Sequence, residues 1–226
     1  MSLPLLKRGF EAFRAGNSVL VRKIARSRIS LVLYLDLGGR KPWSLDVRYA
    51  FLHEAAEAFA IECVNRASGA ARLVPTGKWH SYLKFSVGEF LGWSPGGKRW
   101  SSDSETKEAF SGRVLNEIAI DLVPKLEWVD GERALLQMLL DADKDGHRTW
   151  WRTNGAIRAA VILYIGGQLK SDYADLVSQV MQHAKQISLG IEGRTVEGLP
   201  ERFVEQVIDA LKIRGDRAGR VSSSAK

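Results

Sequence analysis

The residues best equipped for chemistry in this chain are cations. Arg22, Lys23, Arg26 and Arg28 fall close together, and Arg40 and Lys41 follow. Six positive side chains at this density neutralise phosphates over one or two helical turns. Their plain alternative is a solvated helix face beside a strand end. A second group lies in the loop Gly92–Ser101, where Trp93, Lys98, Arg99 and Trp100 stand among glycines. Glycines expose backbone N–H groups, Lys98 and Arg99 add charge, and the indoles offer stacking faces to unstacked bases. The glycine spacing matches neither a P-loop nor a dinucleotide fingerprint. The same two tryptophans equally suit anchoring a long loop to a core. A third group is His147, Arg148, Trp150, Trp151 and Arg152. Adjacent tryptophans cannot both face one core, so one of them belongs near the surface. The fourth is His53-Glu54-Ala55-Ala56-Glu57, which combines a histidine with two carboxylates, the material of a metal-dependent hydrolase. A zincin needs a second histidine where Glu57 stands.

The stretch Leu52–Phe59 is similar to the His-Asp helix of HD-type phosphohydrolases, which use an upstream metal-binding histidine. No histidine precedes His53, so the plain reading is a histidine on a helix surface. Asp141–Gly146 begins like a calcium loop, but the twelfth position is Arg152, where a bidentate glutamate is required. Cys63 is the sole cysteine. It excludes an intramolecular disulfide, suits a reducing compartment, and reads as a buried thiol among Phe59, Ile61 and Val64. No cofactor is implied.

The charge is unevenly spread. Met1–Pro42 carries nine Lys/Arg against Glu11 and Asp36, which equals the whole chain's net +7. Lys212–Lys226 adds a second excess of +4, so the middle is mildly acidic. Positive fields gather polyanions whatever the fold. There is no long uncharged apolar run, so no membrane-spanning segment is expected. Glu11 and Arg14 interrupt any secretory h-region. The expectation is a cytoplasmic or intravirion protein that is not secreted.

The elements that hold these groups follow from periodicity. Leu3–Ala15 patterns as an amphipathic helix, and Ser18 caps a second short helix carrying Arg22, Lys23 and Arg26. Ile29–Leu37 is a strand ended by Gly38-Gly39. Ser44 caps a long helix Leu45–Asn65 with Val47, Phe51, Ala55, Ala58 and Phe59 on its core side. Arg72–Val74, Tyr82–Val87 and Leu126–Val129 read as further strands. Ser86 with Glu89, and Ser102 with Glu105, form capping boxes. The second opens a helix to Val123 that Pro124 stops, and Lys107 and Arg113 on it would face a groove in a helix-turn-helix outline. Everything after Glu132 reads as helical. Thr149–Leu169 breaks at Asn154-Gly155, and Ala156–Ile165 is apolar nearly all round.

The expected class is α+β, mostly α, with a helical C-terminal bundle and a small N-terminal β element. Residues 1–130 would form a mixed half, 131–214 a helical half, and 215–226 a mobile basic tail. The leading function is a non-enzymatic nucleic-acid-binding protein contacting the phosphate backbone of DNA or RNA. Arg22, Lys23, Arg26, Arg28, Arg40 and Lys41 would share one groove. Lys98, Arg99, Arg148 and Arg152 would assist, and Trp100 would stack. The alternatives are an assembly or interaction protein, such as a viral matrix or nucleocapsid-like subunit or an inhibitor of another machine, and a metal-dependent hydrolase using His53, Glu54 and Glu57.

Overall fold

Alternation of apolar and polar residues builds the centre of the N-terminal region. The computed structural model describes residues 3–15, 18–24, 28–68, 73, 81–86, 100–141, 148–169, 173–186, 190–191, 194–195 and 202–212. A short helix α1 (Leu3–Lys7) leads into four strands: β1 (Glu11–Ala15), β2 (Ser18–Ile24), β3 (Ile29–Leu37) and β4 (Trp43–His53). Each pairs antiparallel with the next. The far side of β4 takes β5 (Phe85–Ser86) at Arg48 and Tyr49, and β6 (Trp100–Ser102) at Trp43–Leu45. The result is a six-stranded antiparallel sheet, larger than the small element expected.

Three expected helical stretches are strands. Leu45–Asn65 is not one helix: β4 runs to His53, and helix α2 (Glu54–Ser68) begins only there. Leu45, Val47, Tyr49 and Phe51 are buried while Asp46 and Arg48 are exposed, the period-two pattern of a strand, and from Tyr49 on β4 is buried on both faces. Ser18–Ile24 pairs over its whole length with Ser30–Asp36 of β3. Leu3–Ala15 is helical only to Lys7; Gly9 has φ of 81°, a left-handed turn that costs glycine nothing, and β1 follows. Ile29–Leu37 is a strand as expected. Ile29–Leu35 is buried throughout, so β3 is covered on both faces. Each such side chain contributes about 1.5–3 kcal/mol by leaving water. On one face Val32, Tyr34, Ala50 and Leu52 form a compact cluster. The Tyr34 hydroxyl accepts the Ser81 N–H at 3.1 Å, and the Lys84 ammonium lies 4.6 Å from the Tyr34 ring centroid.

A helical run crosses beside this sheet. Thr106, not Ser102, is its N-cap, accepting the Ala109 N–H at 3.2 Å. Helix α3 (Lys107–Glu117) continues through a π turn (Ile118–Leu122) into α4 (Val123–Leu126). Pro124 sits in the first turn of α4, where its missing N–H costs nothing, and does not stop the run. Leu126–Val129 is the end of α4 and a turn, not a strand.

The chain forms two compact units. The first comprises Met1–His53 and Gly77–Ala134; the second comprises Glu54–Thr76 and Leu135–Lys226. The second unit is helical apart from one hairpin. It contains α2, most of α5 (Glu132–Asp141), α6 (Arg148–Leu169), α7 (Tyr173–Gln186) and a helix α8 at 202–212. The hairpin β7 (Gly190–Ile191) and β8 (Arg194–Thr195) interrupts a stretch expected to be wholly helical. Helix α6 kinks at Asn154 (φ −140°, ψ 32°), where the sequence breaks it. Beyond the kink Ala156–Leu163 and Ile165 are buried, and α6 packs on α2 and α7. The Phe59 and Tyr164 rings meet at 5.3 Å, and Cys63 is buried on α2. Gly166 lets α7 approach, since a Cβ there would collide with Leu176. Arg158, buried in this apolar helix, donates to the Leu139 carbonyl of α5. Asn65 pairs with the backbone of Leu73 on both sides, at 2.9 and 2.6 Å.

Across the described residues helix outweighs strand, and the class is α+β, mostly α. Among them no helix is long and apolar enough to cross a membrane. Arg26, Lys98, Arg99, the 215–226 tail, all of the Ser86–Glu89 helix except Ser86, which belongs to β5, all of the strand at Arg72–Val74 except Leu73, and all of the Gly92–Ser101 loop but Trp100 and Ser101 lie outside the described residues.

Candidate nucleic-acid interface

The strand register sorts the N-terminal cations into two sets. Arg22 stands opposite Val32 and Lys23 opposite Leu31, toward the end of the sheet where Arg28 precedes β3. Arg40 and Lys41 lie in the loop Gly38–Pro42 at the other end. A nine-residue strand separates Arg28 from that loop, about 33 Å from Arg28 to Gly38 at the usual rise per residue. Arg22, Lys23 and Arg28 therefore stand at one end of the sheet, and Arg40 and Lys41 at the other. Arg148 and Arg152 belong to α6 in the second unit.

The Gly38–Pro42 tip is the more informative end. The Gly38 N–H donates to the Ser44 carbonyl at 2.7 Å, closing the loop. A Cβ on Gly38 would stand 2.6 Å from the Ser44 hydroxyl, so a larger residue there would make that hydroxyl turn away. Two rungs below, Asp36 and Asp46 face each other across β3 and β4. Like charges in that position repel. Arg48 answers both, with Nη2 at 2.8 Å from Asp36 and Nε at 3.8 Å from Asp46. The acidic charge beneath the tip is thus partly cancelled inside the sheet. Arg28, Arg40 and Lys41 are exposed, and none of them forms an ion pair among the described residues.

Trp100 joins this end. It pairs with Leu45, which in turn pairs with Leu37. Trp43, opposite Ser102, lies on the same face as Trp100, one diagonal step away. Both indoles are half-buried and both N–H groups are engaged: Trp100 donates to the Glu117 carboxylate at 2.8 Å and Trp43 to the Glu105 carbonyl at 3.2 Å. The Lys107 ammonium sits 5.7 Å from the Trp43 ring centroid. Trp43 went unnoticed in the sequence, although it directly follows Arg40-Lys41-Pro42.

Arg113, the other helix cation expected to face a groove, is committed elsewhere. It grips Glu105 with two nitrogens at 2.8 and 3.0 Å and reaches Glu117 at 3.1 Å. Hydrogen bonds from Arg113, and then from Ser102, lower the Glu105 carboxyl to about 2.

The hydrolase candidates look different from their sequence reading. His53 ends β4 and is buried rather than on a helix surface. Its Nε2 lies 3.1 Å from Glu132 Oε1. Glu57 is buried in α2 and Glu54 is exposed. Among the described residues no group of three or more potential ligands could hold a metal ion.

The arrangement sets exposed cations at the end of the sheet that carries two half-buried indoles; no family model, curated protein or solved structure matches the chain.

Proposed function

We propose that this is a non-enzymatic nucleic-acid-binding protein that docks the phosphate backbone on the Gly38–Pro42 end of its sheet. Arg40 and Lys41 supply the phosphate contacts, Lys107 adds charge, and Trp43 and Trp100 offer aromatic surface to the sugar or an unstacked base. The observation that carries the reading is that Arg40 and Lys41 form no ion pair among the described residues, above a sheet whose own Asp36 and Asp46 are answered by Arg48. The wider balance agrees: the first unit holds eighteen Lys/Arg against twelve Asp/Glu, the second fifteen against fourteen. The contacts are to backbone, so binding is insensitive to base sequence and steeply dependent on salt.

Titration of labelled single-stranded and duplex DNA and RNA over a salt series tests this. The expected result is log K falling linearly with log salt, with a slope reduced by about one for each phosphate-contacting cation removed. Affinity that ignores salt, or that survives Arg40→Ala with Lys41→Ala unchanged, contradicts it.

A further inference from the structure

Three large apolar side chains are exposed among the described residues: Ile120 at 55 %, Trp128 at 49 % and Leu6 at 47 %. All three belong to the first unit. Ile120 and Trp128 lie on the run from α3 through α4 and the turn beyond it. The buried side of that run is Val114, Leu115, Ile118, Ala119, Leu122, Val123 and Leu126. The exposed side repeats every four residues as Asn116, Ile120, Pro124 and Trp128. In a plain α-helix such a row drifts around the axis by about 40° per step. The π turn, in which the Val123 N–H reaches the Ile118 carbonyl, fits more residues into a turn and keeps the row on one side. Leu6 is tied to this neighbourhood by the ion pair of Arg8 with Glu127 at 3.9 Å. A monomer has no evident use for such a stripe.

The charges beside it suggest what covers it. Asp121 and Lys125 are exposed, one turn apart, on one flank of the row. Neither forms an ion pair among the described residues. When two helices pack antiparallel about a twofold axis, each flank meets the same flank of its mate. Asp121 then faces the partner subunit's Lys125, Ile120 faces the partner subunit's Trp128, and Pro124 lies near the axis. Parallel packing would set each flank against the opposite flank of its mate, and Asp121 would not meet the partner subunit's Lys125.

We propose that the Asn116–Trp128 stripe is the contact through which two copies of this chain associate antiparallel. The stripe offers four residues a side, fewer than the roughly 20–30 of a standard interface, so the dimer is weak and reversible. Sedimentation velocity of the full chain, freed of nucleic acid and run over a concentration series, tests it. The expected result is a monomer–dimer equilibrium in which Trp128→Glu raises the dissociation constant by at least about tenfold. Asp121→Lys and Lys125→Asp alone each weaken the dimer about fivefold, and the two together in one chain restore it, because the reversed pairs attract again. A chain that stays monomeric at every concentration overturns the proposal. So does a dimer indifferent to Trp128→Glu, or a double charge reversal as weak as the single ones.

Discussion

Arg113 and the Arg40-Lys41 tip lie in the same compact unit, but the protein uses their charges differently. Arg113 is clamped between Glu105 and Glu117 and carries Trp100 with it, since Glu117 also accepts the Trp100 indole N–H. Its field is absorbed where it arises. Arg40 and Lys41 stand on a loop whose backbone is closed by Gly38 and Ser44, with no described carboxylate in reach of an ion pair. A cation between two carboxylates organises its neighbours; a cation left open on a rigid loop is available to a phosphate. Counting positive residues along the chain does not separate the two cases, whereas pairing does.

Removing the shared support should have the largest effect. Leu33→Ala cuts into the fully buried strand beneath both regions and should cost about 2–5 kcal/mol in chemical denaturation, taking both behaviours with it. Next, Arg40→Glu with Lys41→Glu should lower nucleic-acid affinity on the order of a hundredfold at low salt. Stability should hold within about 0.5 kcal/mol, because both side chains are exposed. Single Arg40→Ala should weaken binding about tenfold and reduce the salt slope by about one. Arg113→Ala should weaken binding less than Arg40→Ala, since it acts only through Glu117 and Trp100, and a loss comparable to Arg40→Ala would erase the distinction between the two regions. The smallest effect is acidic. Glu105 has its carboxyl depressed to about 2 in the folded protein, so its contribution is present above the ordinary carboxylate pKa of 4.5 and disappears as pH falls through about 2. A carbon-detected NMR titration should place the Glu105 midpoint near 2 in the native protein and near its ordinary value in Arg113→Ala.

Much of the second unit was legible. The all-round apolar run Ala156–Ile165 announces burial, Asn154-Gly155 announces a break, and Cys63 among large apolar neighbours announces a buried thiol. In each case the local pattern has one solution. The first unit was harder because its short runs fit two periods. Val47, Phe51 and Ala55 satisfy a helical spacing, while Leu45, Val47, Tyr49 and Phe51 satisfy a strand's. The strand wins because β3 is available to pair along its whole length. The same ambiguity hid Ser18–Ile24, whose valines and isoleucine favour a strand. The basic tip was visible as charge, but its distance from Arg28 depends on register, which no count along the chain supplies. The Trp100–Glu117 and Trp43–Glu105 bonds span 17 and 62 positions and are equally invisible in sequence.

Arg158 has a further consequence for the helical unit. Leu139 is among the last four residues of α5, whose carbonyls have no partner within their own helix. The negative end of a helix dipole is therefore met by a full positive charge from the middle of another helix. The Leu139 carbonyl is met by a guanidinium where water would otherwise serve, and a methionine of similar bulk at position 158 would deprive it of that donor.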